Sequence, residues 1–149
     1  MTNKSIVIAT VVGFALSFSV GAAELLVSKA ASQSKAGGTR VALDLVTDGD
    51  VSGFNFFLRT GDLGAGKVDL SGCVAELPKS FSGECRVAKE GVYVFAMANA
   101  RTTLPAGVSA IGSVVLPSSV AKSVSYAIEE LEIADVDGKS LEKTAQVVQ

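Results

Sequence analysis

The sequence contains no histidine, no tryptophan and only two cysteines. Without histidine, neither a Ser-His-Asp triad nor a Cys-His pair can be assembled. A zinc site also lacks ligands, so no metal or cofactor is expected and a non-enzymatic protein is favoured. Carboxylate-only catalysis stays formally open. Its candidates are isolated acidic residues of the kind that are usually solvated in turns, namely Asp44, Asp48, Asp50, Asp62 and Glu76.

A strong charge of either sign is also missing. The chain has 13 basic and 15 acidic side chains and a net charge of −2. The basic residues are scattered, and no stretch interleaves them with aromatic residues. A nucleic-acid partner is therefore not expected.

Long apolar runs are limited to the N-terminus. Lys4 precedes an uncharged run from Ile6 to Val20, and Gly21-Ala22-Ala23 follows it. This order is typical of a secretory signal peptide, and the run is shorter than the roughly 20 residues that a membrane-spanning helix needs. We predict a signal peptide over residues 1–22, with cleavage after Ala22 or Ala23. A buried N-terminal helix or an uncleaved anchor is the alternative. The processed chain should not span a membrane and should be secreted, periplasmic or at the cell surface.

The two cysteines, Cys73 and Cys85, both follow the predicted leader. An exported domain meets an oxidising compartment, so a disulfide is the expected state. Two free thiols or a metal pair are the alternatives. In the chain-entropy model, closing this short loop contributes about 3 kcal/mol to stability.

Alternating apolar residues begin after a segment rich in Ala, Ser, Lys and Gly, residues 23–38, which reads as a flexible leader. A short edge strand at Leu25 and Val27 is the alternative within it. Residues 39–46 and Val51 to Arg59 then show the period of two that indicates strands. The intervening Asp48-Gly49 step favours a tight turn, so an antiparallel hairpin is predicted. In the second strand, Phe54, Phe56 and Leu58 should face the core.

The opposite face of that second strand carries Asn55, Phe57 and Arg59. An aromatic ring between an amide and a guanidinium is typical of a recognition patch, so these three residues are the candidate partner-binding site. In the alternative interpretation, another strand or loop simply covers Phe57.

Further strands are predicted at Gly91 to Asn99 and Ser109 to Leu116, with Gly83-Glu84 as a turn between two short segments at the cysteines. In the first of these strands both faces are apolar, which indicates a central, covered strand. Its larger alternating set, Tyr93, Phe95 and Met97, is expected in the core rather than in a sugar-stacking row. Residues 143–149 read as a polar tail.

Three patterns are ambiguous when considered alone. Residues 120–134 fit either strands with a bulge near Glu129-Glu130 or a helix. Residues 61–66 are Gly-rich but lack the ending of a phosphate loop, so a flexible loop is predicted. Residues 135–140 resemble the start of a calcium loop without its distal glutamate, so an Asp-Gly hairpin turn is favoured.

Three ordered segments resemble a cohesin-type domain over residues 39–142. They are Arg40-Val41-Ala42-Leu43-Asp44-Leu45 with Val51-Ser52-Gly53-Phe54-Asn55-Phe56-Phe57-Leu58, Gly91-Val92-Tyr93-Val94-Phe95-Ala96 with Ile111-Gly112-Ser113-Val114-Val115-Leu116, and residues 131–141. The resemblance implies an all-β, two-sheet jelly-roll sandwich of eight to nine strands, and it favours strands over a helix at residues 120–134.

The resemblance also implies a function. Cohesins bind dockerin modules, so the expected role is an exported, non-catalytic module that engages a dockerin-like or surface protein through one sheet face. Arg59-Thr60-Gly61 replaces the Tyr-Asp-Pro that is typical after the second strand, so of the family's contact positions only Asn55 is retained as a candidate. A structural or adhesive subunit of a surface assembly and a carbohydrate-binding module are the alternatives. The absence of tryptophan weighs against polysaccharide binding.

Overall fold

The computed structural model describes residues 22–33, 38–64, 66–117 and 126–148. Residues 1–21, most of the predicted signal peptide, and residues 120–125 of the ambiguous stretch lie outside this part of the chain. The described residues contain no helix, and none of them forms a helix that could cross a membrane. They form eight strands: β1 (Ala22–Gln33), β2 (Thr39–Thr47), β3 (Gly53–Arg59), β4 (Phe81–Ala88), β5 (Gly91–Ala98), β6 (Gly107–Leu116), β7 (Ala127–Ala134) and β8 (Glu142–Val148).

The strands form two four-stranded sheets. We call the sheet with strand order β6-β2-β1-β8 the first sheet and the sheet with order β4-β5-β3-β7 the second sheet. Each contributes one apolar face to a shared core, as the alternation of the strands requires. The predicted all-β, two-sheet jelly-roll sandwich is confirmed. The largest fully buried side chains include Leu25, Leu43, Leu45, Phe56, Leu58, Leu104, Ile111, Leu116 and Ile133.

The predicted hairpin between β2 and β3 is wrong, because the two strands belong to different sheets. The turn itself forms: Gly49 has a φ of 93°, and its N–H donates to Thr47 Oγ1 over 2.7 Å. The chain then crosses to the second sheet through Val51, which is fully buried. The residues of a turn specify that the chain reverses direction, but they do not specify which strand becomes the next hydrogen-bonded neighbour. Here β2 and β3 do not pair edge to edge, and their buried faces pack against each other across the core.

The segment expected to be a flexible leader contains strand β1 instead. Leu25 and Val27 are fully buried between the sheets. Burying such a side chain contributes about 1.5–3 kcal/mol, which offsets the roughly 1–2 kcal/mol per residue needed to order the backbone. The expected polar tail is also a strand, β8, which pairs in parallel with β1. The sandwich therefore extends at both ends beyond the predicted residues 39–142.

Strand β7 confirms the choice of a strand over a helix for residues 127–134. Its pairing with β3 shifts register between Asn55 and Phe57, which is a β-bulge. Glu130 lies in this bulge with a φ of 54° and is the non-glycine residue with positive φ among the described residues. The sequence break at Glu129-Glu130 therefore corresponds to a real irregularity.

The predicted disulfide between Cys73 and Cys85 is confirmed. Cys85 lies in β4 at one edge of the second sheet, whereas Cys73 lies in a turn segment beside β6 at one edge of the first sheet. The Ser113 N–H donates to Gly72 O over 2.8 Å and holds that segment against β6. The disulfide thus joins the two sheets along one side of the sandwich. The turn predicted at Gly83-Glu84 is wrong, since both residues lie inside β4.

Candidate functional site

The outer face of the second sheet carries a row of exposed apolar side chains on β5. Tyr93, Phe95 and Met97 are 45%, 46% and 52% exposed, whereas the alternate residues of the strand, including Val94 and Ala96, are buried. The expectation that the larger set fills the core is therefore wrong. Both alternating sets are apolar, so the period of two locates the strand without saying which set points inward. Here the smaller side chains face the core.

The register of β5 with its neighbours places polar residues on both sides of this row. Phe95 lies between Asn55 of β3 and Glu84 of β4, which are both exposed. Met97 lies between Gly53 of β3 and Ser82 of β4. The centre of the outer face is thus apolar, and polar groups flank it.

A shallow groove of about 320 Å³ runs along the β3 side of the row. Phe95 and Met97 line one side, and Glu132 of β7 and Ser140 of the following turn line the other. Gly53 contributes to the lining without a side chain, which keeps the groove open at that point. The remaining lining residues are Phe54, Asn55, Ala96, Ile133, Ala134 and Gly138.

The three residues predicted as the site do not share one environment. Asn55 is exposed beside the groove, whereas Phe57 is only 6% exposed. The Phe57 ring packs against Tyr93 with ring centroids 4.5 Å apart, and the Arg59 guanidinium carbon lies 5.5 Å from the Phe57 centroid. The expectation that Phe57 is an exposed recognition residue is corrected, because neighbouring side chains on the same face cover it. Phe57 packs beside the row of β5, against Tyr93.

The guanidinium of Arg59 is engaged within the sheet. It donates to both carboxylate oxygens of Glu129 over 2.6 and 2.9 Å, and to Glu90 over 2.6 Å. These hydrogen bonds raise the pKa of Arg59 and lower the pKa of Glu129. Arg59 therefore connects β3 to β7 and to the turn before β5, and three of its five N–H donors are already used within the domain.

Ion pairs surround the apolar row. Glu84 accepts a hydrogen bond from Arg86 over 2.7 Å on β4. Glu132 accepts one from Lys143 over 2.5 Å at the groove, and this hydrogen bond lowers the pKa of Glu132. Exposed pairs of this kind contribute little to stability, but they keep charged groups at the border of the apolar surface.

In each of the two loops with ambiguous sequence patterns, an aspartate side chain accepts backbone N–H groups of the same loop. Asp135 Oδ1 accepts the N–H groups of Asp137 and Lys139, both over 2.9 Å, and Gly138 has a φ of 77°. This arrangement matches the favoured Asp-Gly turn. In the Gly-rich loop, Asp62 accepts the Gly64 N–H over 2.8 Å. Across the described parts of the chain, no group of three or more His, Cys, Asp or Glu residues could hold a metal ion.

The chain is similar in structure to solved cohesin modules. A non-cellulosomal cohesin from the hyperthermophilic archaeon Archaeoglobus fulgidus aligns with a TM-score of 0.59 and 17% identity, over 85% of this chain and 91% of that one. The fold is that of a cohesin module. No family model matches the sequence, and no curated protein matches it either.

Two further cohesins show the same fold at comparable distance. A type I cohesin of Clostridium thermocellum, solved in complex with a dockerin, has a TM-score of 0.50 and 18% identity, over 87% of this chain and 94% of that one. The cohesin module of a family 33 glycoside hydrolase from Clostridium perfringens has a TM-score of 0.51 and 10% identity, over 88% of this chain and 98% of that one. The resemblance noted in the sequence is therefore confirmed at the level of the cohesin fold.

The sequence located part of the exposed surface of this cohesin fold and missed the rest. Asn55 was identified from its position on β3, whereas Phe95 and Met97 were assigned to the core. Gly53 and Glu132 gave no signal, because a strand glycine and a strand glutamate are each unremarkable alone. The pairing of β3 with both β5 and β7 brings these residues together, and strand pairing is not readable from the alternation within one strand.

Proposed function

We propose that this chain is a non-catalytic binding module that engages a protein partner through the outer face of its second sheet. One observation carries the proposal: Tyr93, Phe95 and Met97 form a continuous exposed apolar row along the central strand β5. Single exposed apolar residues are common, but contiguous ones rimmed by polar groups mark interaction sites. A row on a hydrogen-bonded sheet is also rigid, so little conformational entropy is lost on binding.

The chemistry of this face suits a protein surface. Phe95 and Met97 supply apolar anchors beside the groove, and Asn55 offers both a donor and an acceptor next to them. The border carries the ion pairs Glu84–Arg86 and Glu132–Lys143. An apolar centre with a polar, charged border is the usual anatomy of a protein interface.

The cohesin fold supports the same class of partner. The Clostridium thermocellum cohesin was solved in complex with a dockerin. We infer that the partner of this chain is a dockerin-like module or another surface protein in an extracellular assembly. An extracellular setting agrees with the apolar leader of the sequence and with the Cys73–Cys85 disulfide.

Partner capture with matched variants tests the proposal. The chain is produced with its own leader in a host that exports it, and the purified protein is immobilised. It is then exposed to the secreted proteins of the organism that encodes it, and captured proteins are identified by mass spectrometry. The double variant Phe95→Ala/Met97→Ala should reduce capture of a specific partner at least tenfold, since truncating a hot-spot residue typically costs more than about 1 kcal/mol.

The control variant is Val108→Ala, which removes an exposed apolar side chain from β6 of the first sheet. It should leave capture unchanged. Equal capture by the wild type and the double variant, with both proteins folded, would refute the proposed face.

Polysaccharide binding is the second candidate, and one observation favours it. Tyr93 and Phe95 expose two aromatic rings on alternate positions of one strand, and aromatic rings arranged in this way can stack on sugars. The packing of Tyr93 on Phe57 reduces the free ring face, so a protein partner is preferred. Affinity electrophoresis in gels that contain soluble polysaccharides separates the two candidates, because retardation lost in Phe95→Ala would favour the carbohydrate.

A further inference from the structure

Strand β1 is an interior strand, although it is the first strand of the described chain. It pairs with β2 on one edge in antiparallel orientation and with β8 on the other in parallel orientation. Both edges are already occupied at its beginning. Ala23 lies opposite Thr47 of β2 and Lys143 of β8, and it is only 1% exposed.

The predicted signal-peptide cleavage falls within this beginning of β1. Cleavage after Ala22 or Ala23 breaks a peptide bond in the stretch from Ala22 to Glu24, and Glu24 is only 4% exposed. A peptidase binds its substrate as an extended segment whose backbone groups pair with the enzyme. In the folded domain, β2 and β8 occupy the places that the enzyme would need.

Freeing this bond requires more than fraying of one end. The segment that must leave the sheet continues directly into Leu25 and Val27, which are fully buried in the core. Proteolysis of a folded protein follows the population of the opened state, and opening a core strand approaches global unfolding in free energy. The folded domain should therefore protect its own processing site.

We propose that the leader of this chain is removed before the first sheet forms, and that a precursor which folds first retains its leader. The inference rests on the proposed export, because it takes the cleavage site from the predicted signal peptide. It adds an order of events: cleavage, then closure of the sheet around β1. The chain must accordingly be exported in an unfolded state.

The strand order of the first sheet leaves time for cleavage before the sheet closes around β1. The second neighbour of β1 is β8 (Glu142–Val148), the last of the eight described strands. One edge of β1 stays open until the residues of β8 have been delivered. Pairing of strands so distant in sequence is also slow, because the loop-closure entropy must be overcome first.

The test compares three substrates of purified signal peptidase in detergent. They are the folded and oxidised precursor of residues 1–149, a synthetic peptide of residues 1–33, and the precursor variant Leu43→Asp. Leu43 is fully buried in β2 and lies outside the peptide, so the variant disrupts folding without changing the sequence around the cleavage site. Circular dichroism establishes which precursor is folded, and N-terminal sequencing locates the cut.

The peptide and Leu43→Asp should be cut after Ala22 or Ala23, and the folded precursor should be cut at least about a hundredfold more slowly. Cleavage of the folded precursor at the rate of the peptide would overturn the proposed order while leaving the signal peptide intact. A peptide that is not cut at this site would instead remove the proposed export, and the order with it. A wild-type precursor that cannot fold with its leader attached would overturn the claim that folding traps the leader.

Discussion

Gly53 of β3 lies directly opposite Met97 of β5, and the missing side chain at Gly53 keeps open the groove that Met97 borders. A Cβ atom added at Gly53 would lie 3.4 Å from Ala96 O and 3.6 Å from Met97 Cβ. Both distances can be accommodated as van der Waals contacts, and the φ angle of Gly53 is not positive. The glycine is therefore not required by the backbone, and a side chain at this position can test the groove without breaking the fold.

Gly53→Val should weaken partner binding at least tenfold while changing the free energy of unfolding by less than about 1 kcal/mol. The two added methyl groups fill the groove, whereas a β-branched residue suits a strand. Titration of the captured partner and urea denaturation measure the two quantities. Thr144→Val, at an exposed position of β8 in the first sheet, should change neither. Wild-type affinity in Gly53→Val would show that the partner does not use the groove.

Phe57→Ala should destabilise the domain by about 3 kcal/mol, near the lower end for truncating a buried phenylalanine. Phe57 is covered by Tyr93 and Arg59 rather than by a second layer of secondary structure. A double-mutant cycle with Tyr93→Ala should give a coupling of about 1 kcal/mol, because the two rings are in contact. Chemical denaturation of the four proteins measures it. A coupling near zero would mean that Tyr93 does not cover Phe57 in solution.

The disulfide should contribute about 3 kcal/mol to the free energy of unfolding, since it closes a loop with a sequence separation of 12. Cys73→Ala/Cys85→Ala should lower the denaturation midpoint accordingly. Treatment with a thiol reductant should shift the midpoint of the wild type similarly and leave that of the variant unchanged. If the wild-type midpoint did not respond to reduction, the link between the two sheets would add nothing to stability.

Acid should weaken the domain through Glu129. Its pKa is lowered in the folded state by hydrogen bonds from Arg59. A lowered folded pKa contributes stability that is present above the unfolded value of about 4.5 and is lost as the pH falls through the folded value. The free energy of unfolding should thus decrease below pH 4.5, and Glu129→Gln should reduce that decrease. Urea titrations at pH 3, 4, 5 and 7 measure it; parallel pH profiles for both proteins would contradict the assignment.

The sequence predicted which residues form strands more reliably than how the strands pair. The apolar alternation located β2, β3, β5 and β6, because each keeps one largely buried face. The alternation does not distinguish a hairpin after Thr47 from a connection that crosses to the other sheet, because the same turn can begin either one. Strand β1 is predicted only as a short edge strand at Leu25 and Val27, because these two residues are a short apolar signal in a polar segment. Strand β8 is not predicted, because its residues are mostly exposed.

The candidate site was predictable only in part. Asn55 follows from the alternation of β3, which places it opposite the core residues Phe54 and Phe56. The orientation of β5 was not predictable, because both of its faces are apolar and only the packing against the first sheet selects Val94 and Ala96 for the core. The burial of Phe57 depends on Tyr93, a neighbour that becomes known only with the register of β3 and β5.

Site-specific photocrosslinking shows which sheet face contacts the partner. A photoreactive amino acid is placed at Phe95 of β5 in one protein and at Val108 of β6 in another, and each is irradiated with the secreted proteins of the organism that encodes the chain. We expect a covalent adduct with the partner from position 95 and none from position 108. An adduct from position 108, together with none from position 95, would contradict the assignment of the binding face to the second sheet.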